Sequence, residues 1–192
     1  MRKIVLIPVS SLAGVPQHHL LELIVEPAEL SINAQPKFHY LQGHGLKSAI
    51  KVAKKVMVHL QSKTIWRLSR APLLYLANPL PGLSNALGAA LGIVMSLLMY
   101  HGLCRCDRLI ATGKLNSVTA TVETVTDLTA ELKSATALGY QNKLLRFIIP
   151  KLINDNVTMV NRHAELIRHL GTLNIRVFPV QTLQEAIAAC SS

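Results

Sequence analysis

The chain has 192 residues, half of them hydrophobic and 16% charged. It is therefore long enough to bury the core of one domain and too apolar to be largely disordered. Its formal net charge of +10 favours an anionic partner: nucleic acid, a membrane surface or an acidic protein. The three cysteines, Cys104, Cys106 and Cys190, argue against a disulfide framework and lack the second pair typical of a zinc site. We therefore expect neither a metal ion nor another cofactor.

The N-terminal part of the chain predicts strands. Its first apolar run, Ile4–Val9, is interrupted by Pro8 and is too short for the core of a secretion signal, so we expect a buried first strand over Lys3–Val9 and a cytoplasmic protein. A second strand is predicted over His19–Glu26 and a short third one over Phe38–Leu41.

The next segment, Leu46–Leu60, predicts an amphipathic helix. Opposite its apolar face runs a series of four lysines, here called the lysine stripe: Lys47, Lys51, Lys54 and Lys55. The stripe is either an ordinary solvated helix face or an anion-binding, phosphate-contacting one. Residues 30–106 carry nine basic residues and no acidic one, which favours nucleic acid as a partner of this part of the chain.

The stretch Ala71–Cys104 contains no Asp, Glu, Lys or Arg. Strand-like residues, Ile65–Leu76, precede a Pro/Gly turn, and a helix is predicted from Ser84 to Tyr100. Its strongly apolar part is about 15 residues long, short of the roughly 20 that cross a bilayer, so we expect no membrane span. Gly88 and Gly92 lie one turn apart, which predicts the close approach of another backbone.

The rest of the chain alternates strands and helices with short connections, which predicts an α/β (α+β) fold. Residues 118–125 are β-prone, and helix caps are predicted at Thr126 or Asp127 and at Thr182. The predicted strands are Arg108–Thr112, Leu145–Ile149 and Ile175–Pro179; the predicted helices are Leu128–Leu138, Asn161–Leu170 and one that follows Thr182.

Six segments, in this order, resemble one known family. They are Leu41–Leu60, Pro81–Ala86 (PGLSNA), Ala111–Gly113 (ATG), Ala135–Gly139, Phe147–Lys151 (FIIPK) and Val177–Ala186 (VFPVQTLQEA). The chain is similar to the proteolytic domain of Lon-type ATP-dependent proteases, the S16 class of peptidases. The resemblance implies a ribosomal protein S5 domain 2-like fold and a single domain over residues 1–192. Residues 1–40 would supply its N-terminal strands, and residues 41–192 match best.

The family hydrolyses peptide bonds with a serine whose proton is taken by a nearby lysine. By resemblance Ser84 stands at the nucleophile position, supported by Gly82, Asn85 and Thr112 around the turn and the oxyanion. Thr129 occupies the place of the lysine, and the only lysine of that predicted helix is Lys133, one turn later. Each residue also has a simpler interpretation: Ser84 as a helix cap and Lys133 as a solvated surface lysine.

Two classes of function follow from the resemblance. The first is a Lon-like serine peptidase that acts on peptides or proteins as a homo-oligomer, with a separate AAA+ ATPase as partner, since no phosphate-binding Gly-x-x-x-x-Gly-Lys-Ser/Thr motif is present. The second is a non-catalytic Lon-like domain that binds nucleic acid or mediates oligomerisation. A weaker similarity, of Pro79 and Gly82–Ser84 to a phosphate loop of small-molecule kinases, lacks that loop's second serine and its glycines.

Overall fold

The structure, a computed structural model, describes residues 2–10, 18–27, 41, 46–63, 72–77, 88–151 and 157–191. These residues form eight strands and five helices. In chain order they are β1 (Lys3–Ser10), β2 (His18–Pro27), α1 (Lys47–Lys63), β3 (Pro72–Leu76), α2 (Ala89–Tyr100), β4 (Arg108–Ala111), β5 (Lys114–Leu115), β6 (Val122–Glu123), α3 (Leu128–Thr136), β7 (Leu145–Pro150), α4 (Val157–Thr172), β8 (Ile175–Val180) and α5 (Leu183–Ser191).

Six strands form one mixed sheet in the order β3-β2-β1-β4-β7-β8. The pairs β1–β4, β4–β7 and β7–β8 are parallel. The pairs β1–β2 and β2–β3 are antiparallel. Helices connect the parallel strands, as the alternation of strand and helix patterns predicts. The α/β class is therefore confirmed. A separate two-stranded sheet of β5 and β6 lies in the connection between β4 and α3.

Helices cover both faces of the large sheet. Side chains of α1, α2 and α5 share one apolar core with the inward-facing residues of β1 and β2. Side chains of α3 and α4 share a second core, on the other face, with β7 and Leu6 of β1. Because α2 contacts both β1 and α1, it forms a middle layer between the sheet and α1.

The uncharged α2 is buried from Ala89 to Met99. A helix that is apolar on all sides is stable only when protein surrounds it, which explains why this stretch carries no charge. A Cβ added at Gly92 would lie 2.7 Å from Cγ1 of Ile7 in β1 and 3.4 Å from the carbonyl oxygen of Ala111, so the close approach here is made mainly by a side chain rather than by the predicted backbone. Within the described ranges, no helix is both long and apolar enough to cross a membrane.

Most predicted elements of the second half are confirmed, with changes at their ends. Helix α4 begins at Val157, earlier than predicted, and continues through Gly171; the backbone instead turns at Asn174, which has a positive φ of 61°. Of the β-prone residues 118–125, only Val122 and Glu123 form a strand.

The predicted helix start at Ser84 is wrong: α2 begins at Ala89, and its N-cap is Gly88, which provides no side-chain cap. Positions 38–40, 65–71 and 84–87 of the predicted segments lie outside the described residues.

The two helical glycines Gly92 and Gly171 provide a matched test of this packing. We expect Gly92→Ala to lower the free energy of unfolding by about 1–3 kcal/mol, because the new methyl group overlaps Ile7. Gly171→Ala meets nothing within 4 Å and should raise it by up to about 1 kcal/mol, because alanine favours the helix. Urea denaturation of both variants measures the two effects, and equal effects would contradict this packing of α2.

Candidate functional site

The start of α2 is fixed to the end of β4 by backbone hydrogen bonds. The Gly113 N–H donates to the Gly88 carbonyl (2.9 Å), and the Leu91 N–H donates to the Gly113 carbonyl (3.1 Å). Gly88 follows the predicted nucleophile Ser84 by four residues. Ser84, Gly82 and Asn85 lie outside the described residues, and the described part of the candidate site consists of the residues around Gly88.

A threonine and a glutamate meet at this point. The hydroxyl of Thr112, directly after β4, donates a hydrogen bond of 2.6 Å to Oε2 of Glu131 in the first turn of α3. A Cβ added at Gly88 would lie 3.3 Å from the Thr112 hydroxyl oxygen and 3.4 Å from Oε1 of Glu131. The carboxyl group is therefore packed against the backbone that leads into α2.

The carboxyl group of Glu131 holds its proton more tightly than an ordinary glutamate. Burial raises its pKa to about 8, because charge is costly away from water. The Thr112 hydrogen bond and the charge of Lys114 oppose this rise in pKa, whereas Asp127 adds to it. At neutral pH the group is therefore mostly a neutral acid, and a modest rise in pH ionises it.

Thr129, for which the resemblance implies a lysine, packs between helices α3 and α4. Its hydroxyl lies 3.0 Å from Nε2 of His163 in α4, and both side chains are buried. The hydrogen bond joins α3 to α4 on the face of α3 that points away from Gly88. Thr129 therefore performs a structural role where the resemblance places a base.

Lys133 is exposed, and its ammonium group makes no hydrogen bond or ion pair with a residue that the structure describes. It lies two residues after Glu131 on α3, and helical residues two apart do not share a face. Since Glu131 faces Thr112 and Gly88, Lys133 faces elsewhere. The structure thus brings Thr112 and Glu131 together and leaves Lys133 apart from them.

Thr112 was predicted to support the turn or an oxyanion. Its hydroxyl donates to Glu131, and its backbone N–H donates to the Ile148 carbonyl at 3.0 Å. Both donors are therefore engaged within the protein. In this arrangement Thr112 fixes the position of the Glu131 carboxyl group.

The lysine stripe is a second candidate site, on the outer surface of α1. All four lysines are exposed. Val58, about one turn beyond Lys55, is also exposed, with 65% of its surface accessible. No residue of α1 is acidic. The stripe therefore presents four positive charges on one helical face without a carboxylate on the same helix.

The three cysteines are free and buried in the core shared by α2 and α5. A hydrogen bond to Cys190 and burial raise the pKa of Cys106, and a hydrogen bond to Cys104 and burial raise that of Cys190. Protonated thiols are poor nucleophiles and poor ligands. No group of His, Cys, Asp and Glu within the described ranges is arranged to hold a metal ion.

Glu131 was not among the site residues predicted from the sequence, although a signal for it is present. One face of the predicted helix is formed by four residues at helical spacing, three of them apolar: Leu128, Glu131, Leu132 and Ala135. A glutamate in that pattern indicates a carboxyl group turned toward the protein interior. Such a group often belongs to a functional site.

Comparison with known proteins assigns no family to this arrangement. The sequence matches no protein-family model and has no significant match among curated proteins.

The pKa of Glu131 predicts a pH-dependent stability. A folded-state pKa above the usual value near 4.5 means that stability is full below about pH 4.5 and falls as the pH rises toward 8. The expected loss is on the order of 4 kcal/mol. Glu131→Gln keeps an acceptor for Thr112 but cannot ionise, so its free energy of unfolding should fall much less.

Urea denaturation at pH 5 and pH 8.5 measures this difference. The matched control is Glu165→Gln, which changes an exposed carboxylate of α4 and should retain the dependence of the unmodified protein. The account of Glu131 would be wrong if Glu131→Gln lost as much stability between these pH values as the control.

Proposed function

We propose that this domain is a non-catalytic, Lon-like module that binds nucleic acid through the lysine stripe of α1. The observation that carries the proposal is the exposure of all four lysines on one face of a helix without acidic residues. The stripe lies within the part of the chain, residues 30–106, that has nine basic residues and no acidic one.

The geometry of the stripe suits a phosphate backbone. At a rise of 1.5 Å per residue, Lys47 and Lys55 are about 12 Å apart along the helix axis, a span that covers several phosphates of a duplex. The stripe carries no aromatic side chain on which an unpaired base could stack. Binding to duplex phosphates without sequence preference is therefore the mode that these residues support.

The absence of catalysis is supported by Thr129 and Lys133. Thr129 bonds to His163 at the place where the resemblance calls for a base. Lys133, on the same helix, is exposed and faces away from Gly88. The Lon-like identity of the module, its S5 domain 2-like fold and an oligomeric assembly rest on the order of the resembling segments.

Neutralising the stripe tests the proposal. The test variant has all four stripe lysines changed to Gln: Lys47, Lys51, Lys54 and Lys55. It should bind a short DNA duplex more weakly. The slope of the logarithm of its binding constant against the logarithm of the salt concentration should fall by up to about 3.6, because each phosphate contact contributes about 0.9. Fluorescence anisotropy over a series of salt concentrations measures both effects.

A control variant removes the same charge elsewhere, with Gln at Lys143, Lys151, Arg162 and Arg168, all of them exposed. It should keep most of the salt slope. An equal loss in both variants would show that only net charge matters. A wild-type protein without salt-sensitive binding would rule the proposal out.

A second candidate function is peptide hydrolysis at Ser84 by a homo-oligomer supplied with substrate by a separate AAA+ ATPase. One observation favours it: the titratable carboxyl group of Glu131 lies against Gly88, four residues after Ser84. Its raised pKa would make the ionised form a stronger base than an ordinary glutamate. In this function Glu131 takes the role that the resemblance gives to a lysine.

Three variants distinguish the possible bases in an assay with casein or a fluorogenic peptide. Ser84→Ala should abolish hydrolysis, and Glu131→Gln should reduce it by about 10²–10⁴-fold, the usual contribution of a general base. Lys133→Gln should leave it unchanged if Glu131 is the base and reduce it if Lys133 is. Hydrolysis that persists in Ser84→Ala would eliminate this candidate.

A further inference from the structure

Two arginines lie side by side on the neighbouring strands β7 and β8. Arg146 is the direct partner of Arg176 in the parallel register, so both side chains leave the same face of the sheet. It is the face that packs against α5, on the opposite side from the core of α3 and α4. The two side chains therefore start side by side on one face, close to the β8 edge of the sheet.

Among the described residues, no carboxylate pairs with either guanidinium group. Neither guanidinium forms an ion pair within the part of the chain that the structure describes, and Asp107, which precedes β4, is paired with Lys3. Like charges directly opposite each other on adjacent strands destabilise a sheet. An anion bound between the two side chains would relieve such a repulsion.

The immediate surroundings leave most of the positive charge in place. The guanidinium of Arg176 lies 5.2 Å from the centre of the Phe178 ring, which holds it over an uncharged surface. Arg146 lies near the thiols of Cys106 and Cys190, which are protonated and therefore neutral. Cys190 is in the last turn of α5, and a helix C-terminus supplies only about half a negative charge.

The donors of Arg146 are also incompletely used. Its Nε atom is buried without a hydrogen-bond partner in the structure. Buried donors without an acceptor are rare and costly, and an ion is one of the groups that satisfies them. A guanidinium presents five N–H donors in a planar fork that matches two oxygens of one oxyanion.

We propose that Arg146 and Arg176 form a binding site for a tetrahedral oxyanion of the phosphate class at the β7–β8 edge of the sheet. Each guanidinium would donate to oxygens of the same anion, which would neutralise the pair and occupy its donors. The site is separate from the lysine stripe, because α1 packs on α2 whereas these strands pack against α5. It is independent of the proposed function.

The test is a titration of the full chain with inorganic phosphate at constant ionic strength, followed by calorimetry and by the thermal unfolding midpoint. The unmodified protein should bind phosphate saturably and show a higher unfolding midpoint in phosphate than in chloride. Arg176→Gln, at an exposed position, should weaken binding at least tenfold. Arg146→Lys keeps the charge but loses the fork, and should also weaken it.

The control Arg162→Gln with Arg168→Gln removes two exposed charges from α4 and should bind phosphate like the unmodified protein. The proposal would be overturned if Arg176→Gln bound phosphate as tightly as the unmodified protein. It would also be overturned if the unmodified protein had the same unfolding midpoint in phosphate and in chloride. A variant without the lysine stripe identifies the source of the anion. If a DNA duplex displaces inorganic phosphate from this variant, the natural ligand of the arginine pair is a phosphate group of nucleic acid. If phosphate stays bound, the ligand is a free phosphate.

Discussion

The complete burial of α2 is the constraint on which the rest of the structure depends. A helix without a polar face requires protein on every side, and here the sheet and α1 provide it. The sheet comes close enough only because position 92 is glycine, beside Ile7 of β1. Covering α2 in turn leaves α1 with a single buried face, so its lysines must face outward.

The same constraint determines the candidate site. Since α2 is held against the end of β4 by the hydrogen bonds of Gly113, whatever follows β4 lies beside the start of α2. That residue is Thr112, and α3 turns Glu131 toward it. A largely buried carboxyl group is therefore what this fold places beside Gly88, at the start of α2. Lys133 of the same helix faces elsewhere, and Lys114 acts on this carboxyl group only through its charge.

Much of the fold could be predicted from the sequence, because local patterns dominate it. The apolar runs of β1, β4, β7 and β8 and the 3.6-residue period of α1 each identify an element without tertiary information. Boundaries were less predictable, as at Gly171, which continues α4 although glycine commonly ends a helix. The pairings Thr112–Glu131, Thr129–His163 and Arg146–Arg176 could not be predicted, since they depend on strand order and helix rotation rather than on spacing.

Nucleic-acid binding by the outward face of α1 is the central claim, and amine footprinting tests it most directly. Lysines of the free protein and of its complex with a DNA duplex are labelled with an amine-reactive ester and quantified by mass spectrometry. The account predicts protection of Lys47, Lys51, Lys54 and Lys55, with unchanged labelling of the exposed Lys143 and Lys151. Unchanged labelling of the stripe, or protection confined to other lysines, would contradict it.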